Sequence, residues 1–151
     1  MVYSNASIYK EISEEAYLKM CSLLDEGRTP KNDGSDGYII KYDPTHNSFK
    51  QSMIVVVFTG MWLEAILHQQ IVAKHGEDEF KKYDFKSYRE KLILLGVSSP
   101  EILDKTDSFK ATRKELVHEK AFFDSGEIKV AQQEAELANQ VMSSVSHALG
   151  I

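Results

Sequence analysis

Residues 49–75, FKQSMIVVVFTGMWLEAILHQQIVAKH, decide whether this chain is mainly helical or mixed. The apolar run at 54–58 is typical of a buried strand, because β-branched residues are frequent in strands. However, the apolar pattern continues through Trp62, Ile66 and Ile71 without a pair of helix-breaking residues, and a single strand does not run that far. We therefore interpret the whole segment as one long helix that is buried on most of its sides.

A first amphipathic helix is predicted before this segment. Apolar side chains between Ile12 and Leu24 recur at spacings of three and four, which places the start of the helix at Ser7 or at Ser13. A start at Ser13 would put two glutamates in the first turn, where the helix dipole favours them. The helix should end near Gly27, since glycine followed by proline is a common stop signal.

Residues 27–48 form a long connection after this helix. Turn-forming residues dominate it, and residues 38–40, Tyr-Ile-Ile, are the one piece that suits an extended conformation. Loops of this length are often functional.

Three further patterns predict helices in the second half of the chain. In the first, apolar residues step by three and four until a glycine closes the helix: Phe85, Tyr88, Leu92, Leu95 and Gly96. Ser99, Pro100 and Glu101 then supply a cap, a proline at the first helical position and an acid near the positive end of the next helix. The last pattern has the clearest period: Ile128, Ala131, Ala135, Ala138, Met142, Val145 and Leu149. Its small residues allow a neighbouring helix to approach closely.

Together these patterns predict an all-α fold. We expect an up-and-down bundle of four to five helices, with the long loop at 27–48 after the first one. A chain of 151 residues suits one domain, so residues 1–151 are interpreted as a single helical domain. No segment alternates clearly enough to predict a sheet.

The composition indicates a soluble globular protein, with 42% hydrophobic and 27% charged residues. The single cysteine, Cys21, lies on an apolar helical face and is interpreted as a buried structural thiol, which fits a reducing compartment. The N-terminus lacks the pattern of a secretory signal, and the most apolar segment, at 53–67, is shorter than the roughly 18 residues of a membrane span. We expect a cytoplasmic protein without membrane association.

Residues 109–120, FKATRKELVHEK, form a local positive island in an acidic chain. From Lys105 to Lys120 there are five basic and three acidic side chains, so this segment carries +2, whereas the whole chain carries −5 and the remainder therefore −7. A positive island beside a histidine, which exchanges protons near neutral pH, predicts a surface that faces phosphate.

Arg113 and His118 are the candidate functional pair of this island. Five positions along a straight helix correspond to about 140° of rotation, so the two side chains do not converge on one ligand within a single regular helix. Either the helix ends or kinks between them, or two chains share the site. In a purely structural alternative, Arg113 forms solvated ion pairs and His118 caps a helix C-terminus.

The sequence does not contain the motifs of other common phosphate or metal sites. The chain has no glycine-rich phosphate loop and no Cys/His cluster at zinc spacing. Glu64 and His68 share one helical face, where they form either a metal-ligand pair or a hydrogen-bonded polar pair. Because a metal would need more ligands, we expect no metal and no cofactor.

Near the end of a long helix, the chain carries an arginine, four intervening residues and a histidine. An earlier helix of the same small all-α domain carries residues 62–66, WLEAI. In these features the chain resembles the HEPN (higher eukaryotes and prokaryotes nucleotide-binding) superfamily. The matching positions are Arg113, Lys114 and His118; the family often has asparagine where this chain has Lys114. The resemblance implies metal-independent cleavage of RNA by a homodimer that brings two motifs into one cleft. It also implies a toxin or defence effector, held in check by an antitoxin or a nucleotidyltransferase-type partner protein.

The residue chemistry suits such a reaction. His118 has the pKa range of a base that activates the ribose 2′-hydroxyl, and the guanidinium of Arg113 matches phosphate oxygens, so the product would be a 2′,3′-cyclic phosphate. Lys114 and Thr112 are expected to add phosphate contacts. Glu64 is expected to anchor Arg113 across the bundle, because a buried carboxylate on an apolar helix needs a partner.

The sequence leaves a second function open. Lys114 and the acidic pI of about 5.5 favour a non-catalytic member of the same architecture, which would act as a nucleotide-binding, protein-interaction or regulatory module.

Overall fold

The computed structural model describes residues 4–41, 43–117 and 128–151, and it describes side chains outside 115–117 and 128–130. In this part of the chain the elements follow in the order α1 (Asn5–Glu26), β1 (Arg28–Pro30), β2 (Tyr38–Ile40), α2 (Asn47–His75), α3 (Glu77–Tyr83), α4 (Tyr88–Leu94), α5 (Pro100–Val117) and α6 (Ile128–Leu149). The predicted all-α class is confirmed. The described residues contain six helices rather than four to five, because α3 and α4 are separate helices of seven residues each.

Helix α2 is the centre of the fold. It is 29 residues long, and ten of its residues are buried, among them Val55, Leu63 and Ile71. The prediction of a helix in place of a strand at 54–58 is confirmed. A helix packed on several sides needs apolar residues around most of its circumference, which explains why β-branched residues fill this segment.

By length and composition, α2 is also the one helix in the described residues that could cross a membrane. Its most apolar window of 18 residues has a mean hydropathy of 1.4, and half of that window is buried within the fold. The core helix of a soluble protein passes the same test, so this observation is weak evidence for a membrane.

Helix α1 packs antiparallel to both α2 and α6. Near its start, the Tyr9 ring lies 6.1 Å from that of Phe58, whereas near its end Met20 accepts a hydrogen bond from Ser52, earlier in α2. Lys10 likewise bonds to Ser146, late in α6, and Tyr17 to Glu136, ten residues earlier. Helices α2 and α6 therefore run in the same direction.

The start of α1 differs from both predicted positions. The helix begins at Asn5, and Ser13 is a fully buried residue in its interior. The Ser13 hydroxyl lies 2.8 Å from the Thr59 hydroxyl and within 3.3 Å of the Val55 carbonyl oxygen, so the neighbouring helix satisfies it. The predicted end near Gly27 is confirmed, and Cys21 is a free, partly buried thiol.

The long connection after α1 contains a small antiparallel hairpin, with Thr29 opposite Ile39. The extended piece predicted at 38–40 is confirmed as β2, and its partner β1 makes a two-stranded sheet that the sequence analysis did not predict. Beyond the hairpin, the Asp43 carboxylate accepts hydrogen bonds from the backbone amides of Thr45 and Asn47, which leads the chain into α2.

Phe85 does not belong to the helix that its spacing predicts, and it is 97% exposed. Helix α4 begins two residues after Lys86, because Ser87 and Glu90 form a capping box in which each side chain bonds to the other's backbone amide. Phe85 therefore lies in the turn between α3 and α4. The predicted starts at Pro100 and at residue 128 agree with α5 and α6.

Five of the seven residues in the predicted seam of α6 are buried, Leu149 is partly buried, and the side chain of Ile128 lies outside the described part of the chain. Ala131, Ala135 and Ala138 are at most 3% exposed, and Met142 and Val145 extend the same face. These small side chains let α6 lie close against α2 and α5.

We predict that the Ser13–Thr59 pair is coupled in stability. Thr59→Val should lower the free energy of unfolding by about 1–2 kcal/mol, because it leaves the buried Ser13 hydroxyl with a poorer partner. The double variant Ser13→Ala/Thr59→Val should recover part of this loss. Urea unfolding of the wild type, both single variants and the double variant measures the coupling. If the double variant loses as much stability as the two single variants together, the predicted coupling is wrong.

Candidate functional site

Arg113 on α5 lies directly against the backbone of α2 at Gly60. A Cβ atom at position 60 would overlap the Nε and Cδ atoms of Arg113 and would lie 2.7 Å from its Cζ atom. Only glycine leaves this space, which accounts for a helix-weakening residue in the middle of a core helix. The Nε atom is buried and has no hydrogen-bond partner in the described residues, so other atoms must hold the guanidinium in place.

Two side chains hold the guanidinium. Arg113 Nη1 donates to Glu64 Oε1 at 2.6 Å and to the Tyr88 hydroxyl at 3.0 Å. The Tyr88 hydroxyl in turn donates to the same Glu64 oxygen at 2.7 Å. The three groups form a closed triangle that joins α2, α4 and α5, and neither Glu64 nor Tyr88 uses the second terminal nitrogen, Nη2.

The triangle fixes the protonation states of its members. Partial burial opposes ionisation of Glu64, but the hydrogen bonds from Tyr88 and Arg113 outweigh it and hold the pKa of Glu64 below its usual value. Burial, followed by the hydrogen bond to Glu64, raises the pKa of Tyr88, which therefore stays a neutral donor. Glu64 is thus an anion that faces the cation of Arg113.

Glu64 contacts Arg113, as the sequence predicts. The reason predicted for this contact, a buried carboxylate that needs a partner, is wrong. Glu64 is not buried, since 54% of its side chain is exposed, whereas the Arg113 side chain is only 22% exposed. The partly buried group that requires a partner is therefore the arginine.

Beside the triangle lies a cavity of about 590 Å³ between α2, α3, α4, α5 and the turn before α4. Its charged lining consists of five basic and two acidic residues: Lys86, Lys91, Lys110, Arg113, Lys114, Glu64 and Asp84. The lining carries +3 in a chain that carries −5. A concave surface with this balance favours an anion with several charges.

After the ion pairs are formed, three lysines and the carboxylate of Asp84 are left over in the lining, so the remaining charge is +2. Arg113 pairs with Glu64, and Lys86 lies 3.4 Å from Glu90. Among the described side chains, no carboxylate lies within 4 Å of Lys91, Lys110 or Lys114.

Lys91 and Lys110 are held by uncharged groups. The Lys91 ammonium donates to the backbone oxygen of Asp84 at 2.9 Å, and that of Lys110 lies 5.3 Å from the centre of the Tyr88 ring. Burial, with a smaller contribution from Lys110, lowers the pKa of Lys91. An anion in the cavity would favour the protonated form of this lysine.

A larger cavity of about 1190 Å³ lies at the C-terminal end of α1, next to the hairpin and to the start of α6. Its ionised lining is mainly acidic: Asp25, Glu26, Asp43 and Glu136, with Arg28 and Lys41 as the basic residues. This balance does not favour a phosphate group, so the smaller cavity is the better candidate for an anion site.

The structure brings together three of the predicted site residues: Arg113, Lys114 and Glu64. Thr112 is partly buried and does not line the cavity, so its predicted phosphate contact has no support in the geometry. His118 lies outside the described residues. Helix α5 continues through Val117, so it does not end in the four residues after Arg113.

Glu64 and His68 have separate partners. The His68 ring meets that of Phe80 edge-on, at 4.3 Å between centres, while Glu64 bonds to Tyr88 and Arg113. The described residues contain no group of three His, Cys, Asp or Glu side chains that could hold a metal ion.

Several site residues were missed by sequence reasoning. Gly60 carries no signal other than its place in a helix, and Tyr88 was interpreted only as an apolar helical position. Lys110 was counted in the positive island without a role. The sequence Ser87-x-x-Glu90 is a capping signature that would have placed Phe85 and Lys86 outside α4, and thus in the turn.

Comparison of the chain with protein-family models, with curated proteins and with solved structures finds no match. The function therefore has to be inferred from the side chains of the site.

We predict that Gly60→Ala displaces Arg113. The variant should lose about 1–3 kcal/mol of stability, because the new methyl group overlaps the guanidinium stem and the neighbours must shift. In an Arg113→Ala background the same change should be neutral or stabilising by up to about 1 kcal/mol, since alanine is the better helix former. Denaturant unfolding of the four proteins measures both effects. Equal losses in the two backgrounds would show that Arg113 does not occupy this space.

We predict that Glu64 makes stability depend on pH. Because its pKa is lower in the folded state than in the unfolded state, its ionised form stabilises the fold above the unfolded pKa of about 4.3, and this contribution is lost as the pH falls through the folded value. Glu64→Gln should therefore be less stable than the wild type at neutral pH, and the difference should shrink below about pH 4.3. It should be at most about 1 kcal/mol, since the side chain is more than half exposed.

Urea unfolding at several pH values measures this difference. The exposed carboxylate Glu14 on α1 supplies the control variant Glu14→Gln, which removes a carboxylate outside the triangle. A Glu64→Gln difference that is constant with pH would contradict the assigned ion pair.

Proposed function

We propose that this protein is a metal-independent endoribonuclease of the HEPN type and that the cavity beside Arg113 binds RNA phosphates. The observation that carries the proposal is the fixed guanidinium of Arg113 in the wall of a cavity with a net charge of +3. Arginine and lysine are the side chains that bind phosphate oxygens best, and an acidic chain has little other reason to gather five of them around one concave surface.

Arg113 is suited to stabilise charge that develops during the reaction. Its Nη1 atom is held by Glu64 and Tyr88, so the guanidinium needs little reorganisation when a phosphate binds. Nη2 bonds to neither of these partners, and we assign it as the donor to a phosphate oxygen. Lys114, one residue further along α5, lines the same cavity and adds a second cation.

His118 is proposed as the base. It takes the proton of the ribose 2′-hydroxyl, the 2′ oxygen attacks the phosphorus, and the bond from phosphorus to the 5′ oxygen of the next nucleotide breaks. The leaving oxygen takes a proton from water and the protonated His118 gives its proton back to the solvent, so the products are a 2′,3′-cyclic phosphate and a 5′-hydroxyl end. The residues required are a proton-transfer group and a cation, and no metal takes part.

A homodimer is part of this proposal. Arg113 and His118 are about 140° apart on a regular helix, and α5 is helical through Val117. A second copy around a two-fold axis would let Arg113 of one chain serve the phosphate beside His118 of the other, and it would double the local positive charge. We also propose a cytoplasmic toxin or defence effector, with an antitoxin or a nucleotidyltransferase-type protein as its partner.

A non-catalytic nucleotide-binding module is the second candidate. The ion pair of Arg113 with Glu64 favours it, because a guanidinium that faces a carboxylate at 2.6 Å has less charge left for a transition state. Binding of a ground-state phosphate requires less of that charge than stabilisation of a phosphorane does.

We predict that the purified protein cleaves RNA in the presence of EDTA and leaves cyclic-phosphate ends. His118→Ala should lower the rate by about 10²–10⁴-fold, the usual contribution of acid–base catalysis. Arg113→Ala should abolish detectable cleavage while Lys114→Ala lowers it less. Gel analysis of a labelled RNA, with identification of the ends, measures these effects.

Matched controls are Arg28→Ala and His75→Ala, which change the same residue types outside the cavity. Each variant is checked for folding by circular dichroism and for mass in solution. A folded, dimeric wild type, free of any partner, that binds RNA without cleaving it would support the binding module in place of the nuclease.

A further inference from the structure

Phe85 is an aromatic ring in solvent at the edge of the basic cavity. It is 97% exposed, the highest value among the exposed large hydrophobic residues of the described chain, and it lines the cavity together with Lys86. The capping box at Ser87 fixes the end of this turn, so the ring is placed by α4 and not by packing of its own. Among the residues that the structure describes, no contact explains why an aromatic residue occupies this position.

The surroundings of the ring carry a net positive charge. Its chain neighbours are Asp84 and Lys86, which pairs with Glu90, whereas Lys110 and Lys114, both exposed, line the same cavity from α5 without a carboxylate within 4 Å among the described side chains. The two α5 lysines are four residues apart and therefore lie on one face of the helix. An apolar protein partner would have to bury these ammonium groups, which is costly, whereas a nucleotide offers a flat π-face for the ring and a phosphate for the lysines.

The turn before α4 and helix α5 are far apart in the sequence. Both nevertheless line the same cavity, which has a volume of about 590 Å³. This volume lies within the range of about 300–1,000 Å³ that small-ligand sites occupy. The Tyr88 hydroxyl is already bonded to Glu64 and Arg113, so the base contact falls to the exposed ring rather than to the buried one.

We propose that the cavity binds one unpaired nucleotide of single-stranded RNA, with its base stacked on Phe85 and phosphates on Lys110 and Lys114. The inference rests on the proposed function, since it takes RNA as the ligand, and it assigns Phe85 as the residue that selects unstacked bases over duplex. Stacking is available to every base, so the subsite selects single strands without strong sequence preference.

The test uses binding and does not require cleavage. A fluorescent 2′-O-methyl RNA oligonucleotide cannot be cut by 2′-hydroxyl attack, and its dissociation constant is measured by anisotropy beside that of an abasic oligonucleotide of equal length. Phe85→Ala should weaken binding of the base-containing strand about tenfold and leave binding of the abasic strand unchanged. Phe85→Trp should keep the affinity. Tyr38→Ala, which removes an exposed aromatic ring on the hairpin, is the matched control and should change neither.

The phosphate contacts of the two lysines are tested by the salt dependence of RNA binding. Lys110→Ala/Lys114→Ala should weaken binding of both oligonucleotides and reduce the slope of log K against log salt by about 1.4, which corresponds to two phosphate contacts on a single strand. Lys19→Ala/Lys50→Ala removes two exposed lysines outside the cavity and should leave the slope unchanged.

The outcomes separate this inference from the nuclease proposal. If the wild type cleaves RNA in EDTA but Phe85→Ala binds both oligonucleotides like the wild type, the stacking subsite is wrong and the nuclease proposal stands. If Phe85 and the two lysines behave as expected but no RNA is cleaved, the subsite stands and the nuclease proposal fails. If the wild type binds neither oligonucleotide at low salt, the subsite is refuted.

Discussion

The contact of Arg113 with the α2 backbone at Gly60 is the constraint on which the site depends. It brings α5 against the central helix at one position, and the guanidinium reaches Glu64 and Tyr88 from there. Because Tyr88 belongs to α4, the same contact also sets the distance between α4 and α5, and so the width of the cavity between them. The cation of Arg113 is therefore a structural tie among three helices.

Charge in this protein is separated more than the net value suggests. A chain of −5 has a cavity lining of +3, and three of the lysines in that lining have no carboxylate within 4 Å among the described side chains. Like charges in one concavity repel each other, which costs stability in the empty protein and is relieved when a polyanion binds. The acidic remainder of the surface would repel RNA elsewhere, so binding would concentrate at one place.

The sequence predicted those features that follow from long periodic patterns. The all-α class, the course of α2 and the seam of α6 could be predicted because apolar spacing over more than twenty residues allows few other structures. The short helices α3 and α4 were not separated, since seven residues are only two turns. Glu64 and Arg113 were matched by charge, but Gly60 and Tyr88 could not be assigned, because their roles depend on where α5 crosses α2. Phe85 was misplaced by a spacing of three and four that a capping box overrides.

The hairpin after α1 has two unequal edges. In its register Tyr38 and Ile40 direct their backbone amides away from β1, and the side chains of Tyr38, Ile39 and Ile40 are all at least 59% exposed. On the other edge Pro30 has no amide to donate, which blocks pairing there. The described part of the chain thus has one open, apolar strand edge, and strand-to-strand association at high concentration, as in crystallisation or overexpression, would begin at β2 rather than at β1.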